Sequence, residues 1–357
     1  MEAKDTFDAH GDRMGSALAQ LELAEMLQEQ GSVEEALVFY REVVRFYTRI
    51  GHKINLAPVL KDIADALTTQ GDVAGAIATY DQALKATMNV RDRSDQATIL
   101  ARKADLLVWQ GNLRGAKQLY QDAVAIARST NQKAAEADTL DNVARLLIIE
   151  GDLTSARRTC QEVRALNDAI GKKNTQTGSW RSYFELLFET GHIPQAEALV
   201  RDALQEYARN PSLIPQAIAG DLLARTLLAQ GEFARAQEAI TRAVAYAETS
   251  KDVHVRLTVA ITSASIRAAR GDTDDSESEL ASVLNKAKNA GFFDLRLEAA
   301  MALAELHMRR GEQGTARGLL ATLQADATAH GFELVAKRAA EARKMVLMKP
   351  LRRSGST

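Results

Sequence analysis

Apolar residues recur at spacings of three and four along almost the whole chain, and most of these runs stop at a glycine. That spacing puts the apolar side chains on one helical face, so each run predicts an amphipathic helix. The stretch over residues 63–84, IADALTTQGDVAGAIATYDQAL, shows the unit: helix, glycine turn, helix. Its glycine, Gly71, has counterparts at Gly31, Gly111, Gly151, Gly191, Gly231, Gly271 and Gly311, eight glycines spaced forty residues apart. A second column, Gly11, Gly51, Gly171, Gly291 and Gly331, falls twenty residues after the first. One helical hairpin is written over and over, and a period of this length predicts a solenoid whose units stack on their neighbours.

Within each unit two columns hold small residues. Seven before each glycine stand Ala24, Ala64, Ala104, Ala144, Phe184, Ala224, Ala264 and Ala304; five after it stand Ala36, Ala76, Ala116, Ala156, Ala196, Ala236, Ser276 and Ala316. Small side chains let two helices approach closely, with Ile63, Leu67 and Tyr80, or Leu107 and Tyr120, or Val143, Leu147 and Cys160, packed around them. The expected pattern is a helix A over 55–70 and a helix B over 73–90, repeated. Capping residues follow the glycines at Ser32, Asp72, Asn112, Asp152 and Asp272, and Ser32 with Glu35 has capping-box spacing. Eight such units over residues 14–331 have boundaries near 53, 93, 133, 173, 213, 253 and 293. Residues 1–13 read as the end of a preceding partial repeat, 332–348 as a capping helix and 349–357 as a flexible tail. The fifth unit is irregular: Phe184 replaces alanine, Gly178 lies near its start, and Asn210-Pro211 follows, which predicts a bend before the sixth unit.

Composition narrows the function. The chain has 357 residues, 46% of them hydrophobic and 26% charged, with few prolines and aromatics, a helix-rich and soluble make-up. A net charge of −2 gives no overall pull toward nucleic acid or anionic membrane. The single cysteine, Cys160, excludes an internal disulfide and suits a reducing compartment. The polar start MEAKDTFDAHGDR is no signal peptide, and no run approaches a membrane span, so a cytoplasmic location is expected. No phosphate loop, HxxxH or CxxC spacing occurs among the six histidines and one cysteine, so neither metal nor cofactor is expected. His307 and Cys160 fall in packing columns and read as core. Asp274, Asp275, Glu277 and Glu279 open a helix, where the dipole favours acids. Lys337, Arg338, Arg343 and Lys344 read as a solvated cap face rather than a nucleic-acid surface.

Ala76, Tyr80 and Ala83, like Ala116, Tyr120 and Ala123, follow the helix-B spacing of the tetratricopeptide repeat, which this chain resembles over nearly its whole length. The period of forty rather than thirty-four, and the missing helix-closing proline, make it similar to the long-helix variants of kinesin light chains, Rap-type peptide-sensing regulators and large bacterial transcriptional activators. The later units also resemble repeat regions fused to bacterial serine/threonine kinases or winged-helix DNA-binding domains. The resemblance implies an all-α right-handed superhelix whose A helices line a concave groove. Carrying over the family's inward positions places Lys61, Arg102, Asp105, Trp109, Asn142, Arg145, Ile149, Arg181, Glu185, Phe188 and Arg225 in that groove. Trp109, Ile149 and Phe188 would anchor a ligand, and Arg145, Arg181 and Arg225 would fix an acidic segment. Asp65 stands where the family's chaperone-tail carboxylate clamp needs asparagine, so no such clamp is expected. The function expected is non-enzymatic binding of a protein or peptide, as the interaction or sensory part of a bacterial signalling protein. An upstream kinase or DNA-binding domain would belong to a longer chain. Two alternatives stand beside this: a small-molecule sensor with a pocket at the fifth unit, or a structural spacer whose groove is filled by its own side chains.

Overall fold

Every one of the sixteen positions in the two small-residue columns, from Ala24 to Ala316 and including Phe184 and Ser276, is fully buried. The columns are therefore the contact lines between helices, as their size requires. The computed structural model describes residues 12–88, 93–172, 179–209 and 212–348. Among these residues are seventeen α-helices and no strand. The A helices of successive hairpins are α1 (Arg13–Glu29), α3 (Lys53–Gln70), α5 (Ser94–Trp109), α7 (Lys133–Ile149), α9 (Arg181–Glu189), α11 (Leu213–Ala229), α13 (Val253–Ala269) and α15 (Phe293–Arg310). Their B partners are α2 (Val33–Ile50), α4 (Val73–Thr87), α6 (Leu113–Ser129), α8 (Leu153–Ala169), α10 (Ile193–Arg209), α12 (Phe233–Ser250), α14 (Thr273–Ala290) and α16 (Gln313–His330), and α17 (Glu333–Met348) follows. The pairs stack into a right-handed superhelix. The expected partial repeat over 1–13 and tail over 349–357 lie outside the described residues but for Asp12 and Arg13, as do Gly178 and Asn210-Pro211.

Local chemistry sets the helix ends. Asp72, Asn112 and Asp152 accept hydrogen bonds from the backbone N–H of Gly75, Gly115 and Ser155 at 2.9, 3.0 and 3.0 Å. Ser32 and Asp272 make no such side-chain cap. In the fifth unit α9 has only nine residues. Phe184 fills the small-residue position, edge-on to Trp180 at 6.3 Å and stacked on Phe188 at 5.9 Å. Trp180 is buried too and donates from Nε1 to Tyr207 Oη at 2.9 Å. Cys160 is buried, its Sγ 3.3 Å from Ser182 Oγ, and burial pushes its thiol up to about 11, the opposite of an activated nucleophile.

The superhelix overlaps itself. α3 touches α13, α5 touches α15 and α7 touches α17, so each A helix meets the A helix five units further on. The first-column turns plug into this overlap. A Cβ added at Gly111 would lie 2.7 Å from Phe293 Cδ1, and one at Gly71 would lie 3.2 Å from Val253 Cγ1. At Gly311 the same addition meets nothing within 4 Å, although Gly311 and Gly111 share a φ of +79°. Gly311→Ala is thus expected to cost about 1 kcal/mol for the left-handed backbone alone. Gly111→Ala should cost about 1 kcal/mol more, because Phe293 must also give way. Denaturant midpoints of the two variants, compared at equal m-value, check this; equal losses would deny the overlap.

Candidate functional site

The overlap uses up the helix-A positions nearest the turn. Two residues before the first-column glycines stand Trp109, Ile149 and Glu189, and of these Trp109 and Glu189 meet the distant unit. Trp109 stacks on His254 at 4.0 Å and 13°, and meets Phe292 edge-on at 5.6 Å. Ile149 packs on the cluster that holds Phe293, Phe332 and Ala336. Glu189 pairs with Arg338. His254 in turn bonds Asp294 at 2.9 Å. Phe292 occupies the N-cap of α15, where a polar residue would serve the helix better, and makes no cap bond there. It is fully buried instead, under Trp109 and His254. A cavity of about 270 Å³ opens beside this seam, lined by Gln110, Lys288, Phe293, Arg296, Asp326 and His330.

Further from the turns, the A helices leave an interior space. Arg102, Glu298 and Glu305 are exposed to solvent although protein packs around them, which fits side chains facing an interior channel. Asp105, Arg145, Arg181, Glu185 and Arg225 share this interior, each half-buried, and Asp141 and Asp221 sit fully buried in its wall. The register of six, nine, ten and thirteen residues before each glycine gathers these groups. Carried to the last unit, the same register reaches Glu298 and Glu305, which the sequence reading stopped short of.

The charges differ in how they are held. Lys61 is engaged by Asp62 at 2.6 Å and Asp65 at 2.9 Å. Asp65 accepts from Tyr80, and Asp105 accepts from Tyr120 at 2.6 Å, so both carboxylates tie helix A to helix B of their own hairpin. Burial raises the Asp105 carboxyl, against the pull of Arg102 and the Tyr120 hydroxyl. Asp141 accepts from Ser182 Oγ at 2.5 Å and Ser182 N at 3.2 Å, and burial still pushes it up to about 6. Asp221 is pushed up to about 7 by burial, opposed by Arg225 and a hydrogen bond from Thr262. Burial works against the Arg225 charge, but Glu185, 3.8 Å away, with Glu298 and Asp221 holds it above its ordinary value. Arg225 also lies over the Phe188 ring at 5.6 Å. Asn142 is half-buried on α7.

Elsewhere the charged groups are balanced. Asp274 and Glu277 pair with Arg310, and Glu279 with Arg267. His307 is buried against Glu312 at 2.6 Å. No group of three or more metal-ligating side chains is assembled among the described residues. Nor is any helix among them long and apolar enough to cross a membrane.

Residues 15–88 match the family model of the tetratricopeptide repeat, and residues 61–134 and 222–259 match a second model of that repeat. No curated protein matches the sequence. Among solved structures, the chain is similar to the Rap conjugation gene regulator of the plasmid pLS20 in complex with the Phr* peptide, at 13% identity and a TM-score of 0.65, covering 93% of this chain and 96% of that one. It is also similar to the apo form of RapI, at 12% identity and a TM-score of 0.50, covering 82% and 99%. At these identities the likeness is one of fold.

Proposed function

Because the chain is a tetratricopeptide-repeat protein, we propose that it is a non-enzymatic module that binds a peptide, or an extended segment of a protein, inside the channel. The observation that carries this reading is the set of charged side chains that are deep in the protein and still wet. A structural spacer would fill such a space with apolar side chains rather than line it with solvated charge. The fold-level likeness to a Rap regulator bound to a peptide supports the same reading. A small-molecule pocket at the fifth unit finds less support, since Trp180 and Phe184 fill that irregularity. The wider role we propose is the sensory or scaffolding part of a bacterial signalling protein in the cytoplasm.

The test is retention of short synthetic peptides from a randomised pool on the immobilised full chain, read by mass spectrometry. The chain is expected to retain a restricted set of sequences. Arg225→Glu, which reverses a charge in the channel, should weaken the tightest of them about tenfold or more. Arg242→Glu, on the outer face of α12 beside Glu238, should leave affinity unchanged. Retention of nothing, or equal losses in the two variants, contradicts a channel ligand.

A further inference from the structure

The cavity of about 270 Å³ at the seam takes its walls from both sides of the overlap. Gln110 comes from the turn of the third unit, and Lys288, Phe293, Arg296, Asp326 and His330 come from the seventh and eighth. Its polar groups are poorly partnered by the protein itself. Lys288, in the last turn of α14, makes no ion pair or hydrogen bond with its side chain among the described residues, and neither does the Gln110 amide. Arg296 reaches Asp326 only at 4.0 Å, and lies over the Phe293 ring at 5.3 Å. His330 packs on the same ring at 4.1 Å and bonds the backbone carbonyl of Asp326 through Nδ1 at 3.0 Å. A carbonyl only accepts, so Nδ1 carries the ring proton and Nε2 is left as an acceptor without a partner among the described residues. The dipoles of α14 and α16 account for a base near each of their C-terminal ends, at Lys288 and His330. They do not account for Arg296, which stands near the N-terminus of α15, where a cation is disfavoured.

We propose that this cavity is a second binding site, separate from the channel, and that it takes the phosphate group of a small molecule. Lys288 and Arg296 supply positive charge, and the guanidinium and the Gln110 amide supply donors from different directions, which suits a tetrahedral oxyanion. A carboxylate belongs in such a site when the anion has a proton to give it. A phosphate near neutral pH still carries one on part of its population, and sulfate carries none, so Asp326 and His330 Nε2 favour phosphate over sulfate. The space exceeds what a bare phosphate needs and lies just under the roughly 300 Å³ at which pockets for organic ligands begin, so it has room for a phosphate carried on a few further atoms.

The experiment is isothermal titration calorimetry of the full chain with inorganic phosphate, sulfate and glycerol 3-phosphate, at about pH 6.5 and constant ionic strength. Saturable binding of phosphate at one site per chain, about tenfold tighter than sulfate, is expected. Tighter binding of glycerol 3-phosphate than of phosphate assigns the site to an ester; the reverse order assigns it to the free ion. Lys288→Gln, at an exposed position, should weaken phosphate about tenfold. Asp326→Asn should remove the preference over sulfate. Arg242→Gln makes the same change of charge on the outer face of α12 and should alter nothing. No saturable binding of phosphate or its ester overturns the site, and so do equal affinities in Lys288→Gln and the unaltered chain or equal losses in Lys288→Gln and Arg242→Gln. A preference that survives Asp326→Asn overturns the phosphate assignment. None of these measurements involves a peptide, so their failure leaves the channel reading standing, and the failure of that reading leaves this one.

Discussion

Trp109→Ala is expected to destabilise the protein by about 3 kcal/mol, at the low end for a tryptophan truncation because the ring is half-buried. The loss comes from the seam. Trp109 covers the His254 ring and the edge of Phe292, groups that lie more than 140 residues further along the chain. Truncation exposes both, and it also leaves Phe292 as an apolar N-cap with nothing to offset the missing cap bond. Trp109→Phe should recover a good part of the loss. A double-mutant cycle with His254→Ala should show a coupling of about 1 kcal/mol, as expected for rings in contact. Equilibrium unfolding in denaturant measures both; an unchanged midpoint in Trp109→Ala would mean that the overlap adds nothing to stability.

Stability should rise as the solution is made mildly acidic, and Asp221 should account for much of that rise. Its carboxyl is pushed from the ordinary 3.8 up to about 7, first by burial, and Oδ1 has no hydrogen-bond partner. A folded-state value above the unfolded one means that folding takes up a proton between those limits. The contribution to stability is fully present below the unfolded value and is lost as pH rises through about 7. Between pH 8 and pH 5.5 this one group is worth about 2 kcal/mol. Asp221→Asn removes the titration, so the variant should show a flatter stability profile by that amount. Parallel profiles for the two proteins would place the proton elsewhere.

The hairpins were legible in the sequence because the repeat itself encodes their packing. The columns at Ala64 and Ala76 set how closely helix A meets helix B, and a forty-residue period repeats that distance down the chain. The register six to thirteen residues before each glycine puts Arg102, Arg145, Arg181 and Arg225 on the A helices of successive units. The seam was not legible. A repeat specifies contacts between neighbours, whereas Trp109 meets His254 four units on and Phe292 at the start of the fifth, a distance set by the accumulated superhelical twist. Trp109 therefore reads as a groove anchor, although the structure packs it on the overlapping turn. A signal was present all the same. After the second-column turn, early units carry polar residues such as His52, Gln132 and Lys172, while the late units carry Phe292 and Phe332. Aromatics at a helix start, where caps belong, are explained only by something covering them, and both are buried. The loss of the tyrosine at Cys160 was equally visible as a departure from the column.

The overlap carries the rest of the account, because it brings distant units of the superhelix into contact. Gln110, after α5, and Asp326, on α16, line the same seam cavity. With Cys160→Ser removing the only native thiol, the Gln110→Cys, Asp326→Cys variant should be joined within one chain by a short bismaleimide, giving a monomer of altered mobility. A control pairing Gln110→Cys with Gln230→Cys, at an exposed turn away from the seam, should not be joined. Efficient intramolecular crosslinking of the first pair alone is the result predicted; no crosslinking of that pair, or equal crosslinking of both, would contradict a closed superhelix.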